Sequence, residues 1–191
     1  MNMMRFTTMK TKLRKYPSIF LILLLAISSC FLTGCVNQHP KDSKKSSQGE
    51  SVETMLEITD PKEKQAVLNA KAKVKALSGN PRIVATSPAV ADICDKLDLD
   101  LVGVPKSSVS KIPSRYKKVK KVGLAMSPDM EIVSSLNPDW ILAPSSLETD
   151  LKPKFEELKN TEYAFLNLRS VQGMYRSVQE LGEIFGKQQE A

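Results

Sequence analysis

Histidine, cysteine and glycine are all scarce in this sequence, and their scarcity removes most enzyme chemistry. His39 is the one histidine in 191 residues. It stands in a polar stretch, outside every segment patterned like a folded core, so a serine or thiol nucleophile has no base at hand. Of the three cysteines, Cys30 and Cys35 close an apolar leader and Cys94 stands alone. With Cys30 lost in the leader and Cys35 modified, as argued below, no internal disulfide can form. Cys94 lies among Val90, Ile93 and Leu97 at helical spacing, the setting of a small buried hydrophobe. Only eight glycines are present and none builds a G-x-x-x-x-G-K-[ST] run, so a phosphate-cradling loop of that kind is excluded. Asp92, Asp95, Asp98, Asp100 and Asp129 have neither metal-site spacing nor the pairing of a two-carboxylate centre. They read as solvated acids near helix ends. The chain is therefore expected not to be an enzyme.

Long apolar runs are equally few. Residues 19–27 form one, preceded by Lys10, Lys12, Arg14 and Lys15 and too short to cross a bilayer. It ends in Leu32-Thr33-Gly34-Cys35, small residues before a cysteine, the pattern cut by the bacterial lipoprotein peptidase. Residues 1–34 are thus expected to be a lipoprotein signal peptide. Cys35 would then carry diacylglycerol and a further acyl chain such as palmitate, which together anchor a protein stably. The predicted location is the cell membrane, lipid-anchored on the extracellular face. The leader holds five basic residues and no acid, so the formal charge of +7 falls to +2 for the remainder. That removes the main support for nucleic-acid binding.

Residues 35–59 are rich in Lys, Ser, Gln, Asp and Glu and cannot bury enough apolar surface to order themselves, so they read as a flexible tether. Over residues 60–80 a helix is predicted. Asp60 caps it, Pro61 takes the first turn, Glu63 has capping-box spacing, and Val67, Ala70, Val74 and Leu77 form a stripe that Gly79 ends. That stripe could lie across the domain or on lipid, but it is narrow and Ala-rich, which favours a solvated stalk. Residues 81–169 form the compact domain. Strands at 82–86, 101–104, 140–143 and 163–168 alternate with helices at 88–97, 128–136 and 148–160, with a shorter extended piece over 119–122. From Ser170 a last helix keeps its pattern to Ala191. The alternation predicts an α/β, Rossmann-like lobe, a parallel sheet of about four strands with helices on both faces.

In such sheets ligands sit beyond the carboxyl ends of the strands. Ser87-Pro88 and Ser127-Pro128 both read as an N-cap followed by proline at the first helical position. Between them, residues 106–116 form a Ser- and Lys-rich loop with no periodicity, including Ser107, Ser108 and Lys111, the mark of a binding element. Met126 precedes the second cap. It either fills a gap under the loop or presents a soft, neutral sulfur suited to haem iron or copper(I). Helix N-termini, hydroxyls, lysines and a thioether together fit a ligand with an apolar plane and negatively charged ends.

Several runs carry a resemblance. They are residues 82–86 with Ala89-Val90, Asp95-Lys96-Leu97-Asp98-Leu99, Leu101-Val102-Gly103-Val104-Pro105, Pro113-Ser114-Arg115-Tyr116-Lys117, Lys121-Val122-Gly123 with Met126, and Leu151-Lys152-Pro153. Over residues 82–186 the chain resembles the haem-binding lipoproteins of the iron-regulated surface determinant systems of Gram-positive bacteria. These are substrate-binding components of ABC importers, of the iron-siderophore and cobalamin periplasmic type. The resemblance implies a two-lobed fold bridged by one long helix, with haem in the cleft held by a methionine from the first lobe and a histidine from the second. Met126 matches that methionine, which makes it the expected axial ligand. Propionate contacts are implied for Ser87, Pro88, Ala89 and Val90, and for the loop holding Ser107, Ser108 and Lys111. The implied partners are haem, an ABC permease with its ATPase, upstream cell-surface haem-binding proteins, and the membrane through its anchor, but no nucleic acid. Residues 170–191 would be the start of the bridging helix, the second lobe lying beyond the sequence in hand. A ferric siderophore or cobalamin receptor of the same fold, and a surface lipoprotein that binds only other proteins, are the competing readings.

Overall fold

A computed structural model describes residues 60–191; the leader, Cys35 and the tether lie outside the described residues. The elements run α1 (Pro61–Lys75), β1 (Ile83–Ala85), α2 (Pro88–Lys96), β2 (Leu101–Val104), β3 (Lys120–Lys121), β4 (Gly123–Leu124), β5 (Ser127–Pro128), α3 (Met130–Ser135), β6 (Trp140–Pro144), α4 (Glu148–Glu156), β7 (Glu162–Leu166) and α5 (Val171–Phe185). Five strands form one sheet in the order β3-β2-β1-β6-β7, every pair parallel. The α/β class holds, and the short extended piece expected over 119–122 supplies the fifth strand.

Side-chain alternation explains why both faces carry helices. Ile83, Ala85, Trp140, Leu142, Ala164 and Leu166 join one core cluster with α1, α2 and α5. Val84, Ile141, Ala143, Tyr163 and Phe165, one residue out of step, join the other with α3 and α4. Strands apolar on both faces must be covered on both faces, and a parallel crossover through a helix does this. Cys94 sits in the first cluster, fully buried and unpaired. Burial pushes its thiol up to about 12, so native protein should leave Cys94 unmodified by an alkylating reagent that labels it after denaturation, as read by peptide mass mapping.

Two features depart from the sequence expectations. The first helix is no solvated stalk, since Val67 and Ala70 are buried in the core and α1 lies against α5. Lys71 pairs with Glu183 at 3.4 Å, Arg176 with Glu63 at 3.5 Å, and Lys73 with Glu162. Aliphatic lysine stems and alanines cover apolar surface that a count of large side chains misses. The last helix also stops early. Gly186 takes φ 72° as the left-handed cap after Phe185 and the Lys187 N–H bonds back to the Gly182 carbonyl, so α5 closes before Ala191.

Candidate functional site at the carboxyl edge of the sheet

The strand order reverses between β1 and β6, which makes their carboxyl ends the switch point where such sheets open a crevice. Ser87 follows β1 after one intervening residue, Thr86. Its side chain accepts a bond from the Val90 N–H at 3.3 Å and it is nearly buried, so the Ser87-Pro88 cap forms as expected. Val90 lies in the core with its N–H spent on that cap. Of the residues expected to meet a ligand here it offers neither side chain nor donor, because the core takes the first and the cap that starts α2 takes the second. Ala89 is exposed in the first turn, where backbone N–H groups lack helical partners.

The loop after β2 is held at both ends. The Lys106 N–H donates to the Gly123 carbonyl at 2.6 Å and the Ser110 N–H to Ser107 Oγ at 3.0 Å. At the far end Arg115 bonds Asp98 and Asp100 at 2.7 and 2.8 Å, and the Tyr116 hydroxyl donates to the Leu99 carbonyl at 2.6 Å. The Arg115 guanidinium, with Lys187 beside it, holds the Asp98 carboxyl below its usual range. Ser108 and Lys111 are exposed between these pins and Ser107 is half-buried.

Met126 occupies the tip of a two-residue hairpin. Gly123 pairs with Pro128 and Leu124 with Ser127, leaving Ala125 and Met126 as the turn. The Ser127-Pro128 pair is therefore no helix cap. Asp129, one residue on, accepts from the Glu131 and Ile132 N–H groups at 3.1 Å each and starts α3. A carboxylate is the stronger cap at a positive helix end, and it frees Ser127 to pair with Leu124. The hairpin is tied to the sheet by Val122 N–H to Val104 O at 2.9 Å and Asp129 N–H to Val122 O at 2.7 Å. Met126 is 72% exposed and stands beyond the end of β3.

Sequence reasoning missed part of this edge. Ser145 and Ser146 follow β6 at the switch point itself, and Asn167 follows β7, where its N–H donates to Ser177 Oγ at 3.0 Å. The proline closing each strand, Pro105 after β2 and Pro144 in β6, was the signal that could have placed Ser145 beside Ser87. His39 lies outside the described residues, and no group of three or more His, Cys, Asp or Glu among those residues could hold a metal ion. The geometry thus joins one exposed thioether, hydroxyls, exposed lysines and a helix start along a single rim.

Comparison with known proteins bears on the fold that carries this rim. Residues 83–191 match the family described as periplasmic binding protein. The high-affinity heme uptake system protein IsdE of Staphylococcus aureus is 37% identical over 114 residues, 60% of this chain and 38% of that protein. Its crystal structure complexed with heme superposes with a TM-score of 0.55 at 36% identity, over 59% of this chain and 43% of the other. An ABC transporter substrate-binding protein from Listeria monocytogenes gives 0.56 at 45% identity over 59% and 43%. The petrobactin-binding protein YclQ of Bacillus subtilis gives 0.51 at 26% over 58% and 40%. The chain spans about two fifths of the length of these relatives.

Proposed function

This chain belongs to the periplasmic binding protein family, whose members bind ligands and do not transform them, and we propose that its ligand is haem. In this reading the chain is the first lobe of a membrane-anchored receptor that captures haem and passes it to an ABC permease and its ATPase for iron acquisition. Met126 is the axial ligand. The observation that carries the reading is the exposed Met126 sulfur on a hairpin pinned to the sheet, set on the rim that also bears Ser107, Ser108 and Lys111. A thioether is a poor ligand for ferric iron already wrapped in the hard oxygens of a siderophore and a good one for haem iron.

Ser87 follows β1 and the hairpin follows β3, two strands away, so the strand ends lie about 10 Å apart at the usual strand spacing. A flat macrocycle bridges such a span, with its carboxylates toward the first turn of α2 and the lysines. The identity with a heme uptake protein supports the same ligand. Anchoring through Cys35 on the extracellular face, with residues 35–59 as tether, completes the proposal; upstream cell-surface proteins would supply the haem.

A second reading, a ferric siderophore, is favoured by the likeness to a petrobactin-binding protein. Parallel titrations of the full chain with haem and with a ferric catecholate siderophore separate the two. The haem reading expects saturable binding with a shifted Soret band and no comparable siderophore binding; the reverse result removes it. Met126→Ala should weaken haem binding at least about tenfold, the equivalent of about 1.4 kcal/mol.

A further inference from the structure

From Leu101 to Pro128 the chain holds seven basic residues and no acidic one. Outside the leader the formal charge is +2, so this stretch at +7 leaves the rest at −5. Arg115 is committed to Asp98 and Asp100. The other six, Lys106, Lys111, Lys117, Lys118, Lys120 and Lys121, are all exposed, and none forms an ion pair within the described residues. Nearby acids are otherwise engaged, since Lys187 also takes Asp98 and Asp129 is turned into its cap.

The fold gathers these lysines. Lys120 and Lys121 are β3, the outermost strand; Lys117 and Lys118 lead into it; Lys106 and Lys111 flank the neighbouring loop. Lysines on a bare sheet edge deter edge-to-edge pairing, but that needs only the two in β3. Two apolar tips protrude beside them: Val109, 95% exposed, between Lys106 and Lys111, and Leu124, 58% exposed, three residues after Lys121.

We propose that in the haem-free lobe this edge docks on an anionic lipid headgroup layer, the lysines meeting phosphates and the Val109 and Leu124 tips entering the interface. Basic side chains with interleaved apolar ones suit such a surface. An acidic protein partner is the weaker fit, because protein interfaces are poor in lysine and rich in arginine and aromatics, and this edge offers no uncommitted arginine. Charges this close act together within a screening length of about 8 Å at physiological salt.

The test is lysine acetylation of the full chain, followed by peptide mass spectrometry. It is run with phosphatidylcholine vesicles and with vesicles that also contain phosphatidylglycerol, and lysines on other faces of the lobe report any protection that the basic leader brings by itself. The six lysines should be modified several-fold more slowly on the anionic vesicles, with Lys62, Lys75 and Lys159 unchanged, and high salt should abolish the difference. Replacing Lys117 and Lys118, which precede β3 at the end away from the haem rim, with Glu should weaken protection of the remaining four lysines while haem titration stays normal. Equal rates on both vesicles overturn the proposal. So does protection by soluble polyglutamate with none from anionic vesicles, which would point to an acidic protein instead.

Discussion

Glu180→Gln should flatten a fall in stability that a buried, protonated Glu180 implies between about pH 4.5 and about pH 8. Glu180 lies on α5 facing α1, 1% exposed, and neither carboxyl oxygen accepts a hydrogen bond within the described residues. Burial first, and then the facing Glu63 carboxyl, push it up to about 8, against the pull of Arg176. Two carboxyl groups can share a hydrogen bond only while one keeps its proton.

The direction follows from comparing folded and unfolded chains. Below about pH 4.5 both hold the proton and Glu180 costs nothing. Above that the unfolded chain releases it while the folded one still keeps it, so stability falls until the folded group also ionises near pH 8. Each pH unit in that window is worth about 1.4 kcal/mol, a few kcal/mol in all. Glutamine mimics the protonated form and should flatten the decline. Urea titrations of both proteins at several pH values measure it; parallel curves would show that Glu180 is ionised throughout. Because the cluster joins α1 to α5, protection of the α1 amides, measured against their intrinsic exchange rate at each pH, should fall over the same window.

Gly123→Ala should cost about 2–3 kcal/mol and also impair ligand binding. Gly123 has φ 97°, where side chains are strained. A Cβ there would stand 2.9 Å from the Asp129 nitrogen, 3.0 Å from the Ser127 oxygen and 3.3 Å from Pro128 Cα, all backbone atoms that cannot rotate away. The strand facing it must shift, and the turn carrying Met126 shifts with it. Thermal unfolding should show the loss, and haem affinity should drop about as far as in Met126→Ala. Unchanged affinity alongside the lowered stability would mean that hairpin geometry does not control the ligand. In contrast, Gly186, at φ 72° with open space around its Cβ position, should tolerate alanine at the cost of strain alone.

Much of this fold was legible because its strands are short and apolar on both faces. Trp140-Ile141-Leu142-Ala143 and Tyr163-Ala164-Phe165-Leu166 can sit only in a sheet covered twice. Ser87-Pro88 was legible as a cap because no stronger acceptor follows it. Ser127-Pro128 misled because Asp129 comes next, and a two-residue pattern does not record competition with a neighbouring carboxylate. The docking of α1 was hidden for another reason. Its polar contact joins Glu63 to Arg176, 113 residues apart, and pairing at that separation leaves no local periodicity. At the rim, an exposed Met126 could be suspected from a polar loop, whereas the serines after β6 became visible only once the strand order placed β6 beside β1.

The sulfur itself gives the most direct test. Ferric haem bound to a thioether shows a weak sulfur-to-iron charge-transfer absorption in the red that haem bound through nitrogen or oxygen lacks. Full chain loaded with ferric haem and one equivalent of imidazole, which takes the place of the second-lobe histidine, should show this band, and Met126→Ala loaded to the same occupancy should not. A band of equal strength in Met126→Ala, or none in either protein, would contradict the account.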